Sequence, residues 1–293
     1  CHHPAEFLVA LLNSQPMGFY SPSQLVQDAK RHNVVALPPD INSSQWDHSL
    51  EGPDLQLRLG LRIIQGFPAS AAERLCQNRP ETGYRSSAEL RRLAGLNQRE
   101  MELLAAANAM PAFASNRHQA YWQLLGHEKP AGLFSAAEDN ENYETETCDQ
   151  LPEPTEGQNV LADYASQGLT LQRHPLALLR EQGHLQFCLS AEQLKTTKAG
   201  IPVQVAGLVT GRQRPGSASG VTFVTLEDET GNVNVVVWLE TARRQKKPLL
   251  TARLLHVKGI LEREGEIVHV MAGKLSDLSH LIKALPINSR DFH

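Results

Sequence analysis

Two glycine turns about thirty residues apart carry the chemistry this sequence offers. The first lies in Ile63-Ile64-Gln65-Gly66-Phe67-Pro68-Ala69-Ser70-Ala71-Ala72-Glu73-Arg74-Leu75 and the second in Leu93-Ala94-Gly95-Leu96-Asn97-Gln98-Arg99-Glu100-Met101-Glu102-Leu103-Leu104. In each, an apolar helix end meets a glycine and a new helix begins. Such tandem helix-hairpin-helix units grip nucleic-acid backbones without reading bases. Glycine reaches φ > 0 and lets a phosphate approach the main chain. The first-turn N–H groups of the next helix then face that phosphate, with the positive end of the helix dipole behind them. The contacts expected on this reading are Gly66, Ser70, Gly95, Asn97 and Arg99. Asn97 and Glu100 have the spacing of a capping box. Pro68 stands where a second glycine is usual, and with no N–H to offer it marks the first hairpin as the weaker. An ordinary helix–helix connection would use one such turn; two in tandem on a basic stretch favour nucleic acid.

A second set of residues could hold single strands. Beyond Ile201 the apolar period changes to two, with strands expected over 201–210, 221–227, 233–239, 253–263 and 266–272. Five strands with a basic insertion between the third and fourth fit a small OB barrel; another small β-barrel is the alternative. OB barrels bind across strands two and three, flanked by the loops after strands one and four. The first of those loops reads Arg212-Gln213-Arg214-Pro215-Gly216-Ser217-Ala218-Ser219-Gly220, and the insertion carries Arg243, Arg244, Lys246 and Lys247. Phe223 and Trp238 fall on the platform strands, where a stacked base is worth roughly 1–3 kcal/mol whatever its identity. The competing roles are core packing for Phe223 and Trp238 and simple solvation for the lysines.

The elements around these residues follow from composition. The chain has 293 residues, 41% of them hydrophobic, enough for two or three domains. Its net charge of −4 divides unevenly. Residues 1–54 sum to −4, 55–129 to +4, 130–199 to −7 and 201–278 to +2, so positive charge gathers on the hairpins and the barrel. The expected organisation is α+β and multidomain. A helical region with one short strand at Val34–Leu37 covers 1–54, and a fully helical hairpin domain covers 55–129. An acidic linker at 130–157, a helical connector at 158–199, the barrel at 200–280 and a tail at 281–293 complete it. The run 138–146 holds clustered carboxylates but almost nothing to bury, which argues for a solvated linker rather than a metal site.

Other chemistries find no support. Cys1, Cys76, Cys148 and Cys188 form no CxxC pair, so neither a disulfide framework nor a zinc site is indicated, and a reducing cytoplasm is the simplest compartment. Cys1-His2-His3 is a poor metal site. No apolar run would span a bilayer. No P-loop, no Asp-x-Asp pair and no nucleophile–base constellation occurs, so no catalytic residue is assigned. The opening Cys1-His2-His3-Pro4, without an initiator Met, reads as a piece of something longer.

The order of these parts is specific. Residues 5–52, from Ala5 through Gln15-Pro16-Met17-Gly18-Phe19-Tyr20 to Trp46-Asp47, resemble the end of the fingers region of bacterial C-family DNA polymerases. Gln15-Pro16-Met17-Gly18-Phe19-Tyr20 and the terminal Ser289-Arg290-Asp291-Phe292-His293 resemble the error-prone, damage-inducible branch, and paired hairpins followed by an OB barrel repeat that family's order. The resemblance implies the C-terminal portion of a translesion polymerase working with mutagenesis-complex proteins and a sliding clamp. It implies metal-binding aspartates and Mg²⁺ in an upstream palm, so this portion alone is expected to be inactive. Two alternatives remain open: a stand-alone repair accessory protein that binds DNA, and a docking module using Gly132-Leu133-Phe134 or the 158–181 helices.

Overall fold

A computed structural model describes residues 2–17, 20–125, 152–216, 220–265, 267–282 and 290–292, the last three by backbone alone. The chain divides into two compact units, Cys1–Leu171 and Gln172–His293. Most of the expected acidic linker, with its carboxylate run and Gly132-Leu133-Phe134, lies outside the described residues. No described helix is long and apolar enough to cross a membrane.

The first unit opens with α1 (Pro4–Asn13) and α2 (Pro22–Arg31), the latter started by a Ser21–Gln24 capping box with Pro22 just inside it. A three-stranded sheet follows: β1 (Ala36–Leu37), β2 (Ser49–Glu51) and β3 (Gln56–Arg58), with β3 central, parallel to β1 and antiparallel to β2. Leu57 and Leu59 pack from it against Leu8, Leu12 and Val26. Residues 55–129 are therefore not wholly helical. Leu57 and Leu59, two apart, give strand alternation, and the boundary expected at residue 54 falls in the turn between β2 and β3. Next come α3 (Ala69–Gln77), α4 (Ser87–Ala94), α5 (Gln98–Ala106) and α6 (Arg117–Leu125) around one core that includes Ile64, Phe67, Leu75, Leu90, Leu96 and Leu104.

Helix α7 (Glu156–Gln167) belongs to this unit, so the expected connector does not hold together as one piece. Arg117 and Asp163 form a buried ion pair at 2.6 Å, and Asp163 also accepts from the Thr170 hydroxyl at 2.7 Å. The Gln167 amide donates to Ala107 O, and Ser166 O accepts from Gln65 N at 2.7 Å, beside the first glycine turn.

His48 gives this unit a pH dependence. Its Nδ1 accepts from Gly60 N at 3.1 Å, which requires an unprotonated nitrogen. Burial first, then the Arg62 guanidinium, opposed by Asp47, lower its pKa to about 4. A base whose pKa is depressed on folding contributes its full stability above the unfolded value, about 6.5. That contribution falls away as pH drops from there through the folded value. Acid unfolding followed by circular dichroism should therefore show the first unit weakening over that window, and His48→Gln should flatten the slope.

The second unit begins with α8 (Pro175–Glu181) and α9 (Ala191–Thr196) and then closes a barrel. Its strands are β4 (Pro202–Gln213), β5 (Thr222–Glu227), β6 (Asn232–Val237), β7 (Leu254–Glu264) and β8 (Ile267–Asp277). The order β4-β5-β6-β8-β7 returns to β4, every pairing antiparallel except β6–β8. Alternation buries Val203, Val205, Val233, Val235, Val237, Val257 and Val270 inside. The Asp228 carboxylate accepts from Thr230 N and Gly231 N in the β5–β6 turn and from Ala191 N at the start of α9. Between β6 and β7 the basic insertion forms two short helices, α10 (Leu239–Arg244) and α11 (Lys246–Thr251). A last strand, β9 (Arg290–Phe292), lies parallel to the end of β4.

Candidate nucleic-acid interface

Both glycine turns take the backbone form the sequence required. Gly66 has φ +79° and Gly95 φ +60°, and both are exposed. A Cβ at Gly66 would meet nothing within 4 Å, and at Gly95 only Arg74 Nε at 3.9 Å, so each turn leaves room above the main chain. Phe67 and Leu96 follow their glycines as equivalent buried anchors and seat both turns on one core. The second unit is a complete helix–turn–helix, α4–Gly95–α5. The first is shorter than its sequence implies, with a single 3₁₀ turn, Leu61–Ile63, ahead of Gly66.

The expected handicap of Pro68 disappears in three dimensions. Pro68 is the N-cap of α3 and Asn97 the N-cap of α5. The Asn97 N–H donates to Glu100 Oε2 at 2.9 Å, and the Asn97 side chain accepts from Glu100 N at 2.9 Å. Neither cap therefore has a backbone N–H to offer a ligand. The donors left over are the next two in each helix, Ala69 and Ser70 in one and Gln98 and Arg99 in the other, all exposed. The hairpins present matching donor sets.

One residue that the sequence did not mark links the two. Arg74 on α3 pairs with Glu100 at 3.1 Å, and its Nε donates to Ala94 O at 3.2 Å, capping the end of α4. Glu100, only 9% exposed, thus closes the second capping box and ties it to the first hairpin's helix. The partners lie too far apart in sequence for any local pattern to reveal them.

In the barrel the expected contacts separate. Arg212 is not on a flexible arm. It lies within β4, is 6% exposed, and its guanidinium donates to Leu249 O at 2.6 Å and to Ala252 O. The strand runs three residues further than its apolar pattern, and the arginine satisfies carbonyls at the end of α11. Arg212→Ala should therefore leave the salt dependence of binding unchanged and cost roughly 2–3 kcal/mol of stability through lost charge-assisted bonds, read from the barrel's unfolding midpoint. Arg214 beyond it is exposed. Trp238 is not on a strand either, because β6 stops at Val237 and Trp238 caps α10, 55% exposed. Phe223 lies on β5 in register with Val236 and is 38% exposed rather than in the core. Arg243, Arg244, Lys246 and Lys247 are exposed on α10 and α11. Arg214, Thr222, Leu239, Arg243, Lys246 and Leu250 line a cavity of about 330 Å³, an apolar floor rimmed by cations. Among the described residues no group of three or more His, Cys, Asp or Glu is arranged to hold a metal ion.

Comparison with known proteins agrees with this geometry. Residues 33–120 match a family described as helix-hairpin-helix motif, and residues 203–278 one described as OB-fold nucleic acid binding domain. Over 100% of its length the chain is 49% identical to an error-prone DNA polymerase of Vibrio campbellii and 48% identical to one of Pseudomonas fluorescens strain Pf0-1, spanning 28% of each. Among solved structures it is similar to asparaginyl-tRNA synthetase from Pyrococcus horikoshii, 27% identical over 31% of this chain and 23% of that one, with a TM-score of 0.26. The chain is thus similar along its whole length to error-prone DNA polymerases, of which it spans 28%, and matches a helix-hairpin-helix motif and an OB-fold nucleic acid binding domain.

Proposed function

We propose that this chain, related from end to end to a 28% segment of the error-prone DNA polymerases, holds DNA for such an enzyme during damage-induced, translesion synthesis. The reading rests on one observation: two open glycine turns, seated on one core and joined by Arg74 and Glu100, offer matching pairs of backbone donors. A backbone grip of this kind suits duplex DNA of any sequence. The barrel's Phe223 and Trp238, flanked by Arg214, Arg243, Arg244, Lys246 and Lys247, suit single-stranded template. No catalytic step is assigned to these residues. Mg²⁺-dependent nucleotidyl transfer, mutagenesis-complex proteins, a sliding clamp and a cytoplasmic setting belong to the proposal for the complete polymerase. A docking role for α7 is disfavoured, because it buries Val160, Asp163, Tyr164 and Gln167 within its own unit.

Titration of the chain with duplex and single-stranded oligonucleotides across a salt series tests this. Lys246→Ala/Lys247→Ala should flatten the single-strand log–log slope by about 1.4 units, at about 0.7 per contact. Trp238→Ala should lower single-strand affinity roughly tenfold at unchanged slope, within the range for one stacked base. Parent protein that binds neither form would overturn the reading.

A further inference from the structure

The geometry points to a second single-strand subsite on β7 and β8, ending at a cavity beside Phe187. It shares its ligand class with the proposed function but none of its residues.

Lys258 on β7 and Lys274 on β8 stand directly opposite each other, and both are exposed. Like charges in that position destabilise a sheet unless an anion lies between them. His256, two residues along on β7, donates from Nε2 to Gln204 Oε1 on β4 at 3.2 Å. Burial and then the charges of Lys258 and Lys274 lower its pKa and favour the neutral ring, so the positive field here is that of the two lysines. Gln245, between Arg244 and Lys246, bonds Gly273 O and Leu275 N, the residues on either side of Lys274. The positive surface therefore continues from the α10–α11 junction onto β8 and β7.

At the far end, Leu189 N donates to Gln204 O at 2.8 Å and fastens the preceding loop to β4. That loop holds Phe187, 79% exposed. Phe187 borders a cavity of about 510 Å³ with Arg180, Gln186, Gln193 and Glu229 among its walls. Arg180 Nε pairs with Glu229 Oε1 at 2.7 Å, but buried Arg180 Nη2 and Glu229 Oε2 have no hydrogen-bond partner among the described residues. Those two atoms are closed off from solvent, so the surface the cavity offers an unstacked base is the exposed ring of Phe187, with Gln186 and Gln193 beside it. The opposed lysines then hold the adjoining phosphates. An acidic peptide would satisfy the lysines but leave the aromatic face of Phe187 unused, so nucleic acid is the better fit.

The test uses the full chain and an oligothymidylate of about 16 nucleotides, the upper end of an OB site. Phe187→Ala should lower affinity roughly tenfold with an unchanged salt slope. Lys258→Ala/Lys274→Ala should flatten the slope by about 1.4 units, while the arginine pair at these positions restores it. Light-activated crosslinking of a 5-bromodeoxyuridine oligonucleotide should label Phe187 and lose that label in the lysine variant. All these side chains are exposed, and unchanged melting temperatures verify folding. Parent-like affinity and slope in every variant, with parent binding intact, overturn this subsite alone. Loss of polyglutamate binding in the lysine variant, with oligonucleotide binding unaffected, also overturns it and assigns the patch to a protein. Failure of the parent chain to bind single strands at all removes the reading above together with this one.

Discussion

Asp163→Ala should destabilise the first unit by roughly 3–5 kcal/mol, the usual loss when one partner of a buried ion pair is removed. Arg117 and Asp163 are 6% and 11% exposed, so little water reaches either group. Without the carboxylate, the guanidinium keeps its bond to Ala106 O at 3.2 Å but has no counter-charge from Asp163, and the Thr170 hydroxyl loses its bond to that carboxylate. Nearby Lys30 would lose a favourable charge as well. Urea unfolding followed by circular dichroism should show the first unit melting early while the barrel keeps its midpoint. The double variant Arg117→Met/Asp163→Leu should recover more than half of the loss, because apolar groups of similar size remove the uncompensated charge. A double variant no better than the single one would mean that the pair is net stabilising in its own right.

Gly66→Val and Gly95→Val should each weaken duplex binding about tenfold or more, and by similar factors. A left-handed backbone costs an L-residue roughly 1–2 kcal/mol, and the added side chain stands where a phosphate would approach. On sequence alone, the proline in the first hairpin makes Gly66 the lesser position. The structure removes that asymmetry, since Asn97 spends its N–H on Glu100 while Pro68 has none to spend. Fluorescence anisotropy on variants first shown to be folded decides the matter. A loss at Gly95 several times larger than at Gly66 would reinstate Pro68 as a defect.

Much of this molecule was legible in its sequence because the signals are local. The capping box at Asn97, glycine turns at Gly66 and Gly95, and period-two valines in β6 each report on a few adjacent residues. The failures also share a cause. Arg212 reads as a loop residue because glycine and serine follow it, yet its partners are carbonyls at the end of a helix far along the chain. β3 is hidden among helical neighbours because so short a strand offers only one step of alternation, from Leu57 to Leu59 just past its end. Arg74 and Phe187 carry no local mark at all. One is defined by a distant carboxylate, and the other by a cavity that α8, α9 and the β5–β6 turn build together.

The pairing of β4 sets an order of events at the ribosome. One edge of that strand meets β5, the next strand made, while its other edge must wait for β7, which emerges only after β6, α10 and α11. Closure of the barrel is a long-range contact, and such contacts form late and slowly. The hairpin helices, whose contacts are mostly between successive elements, can be complete while the barrel is still an open sheet with unpaired edges. Nascent chains stalled between α11 and β7 should therefore be the form most prone to aggregate or to engage a chaperone, and stalling past β8 should abolish that tendency.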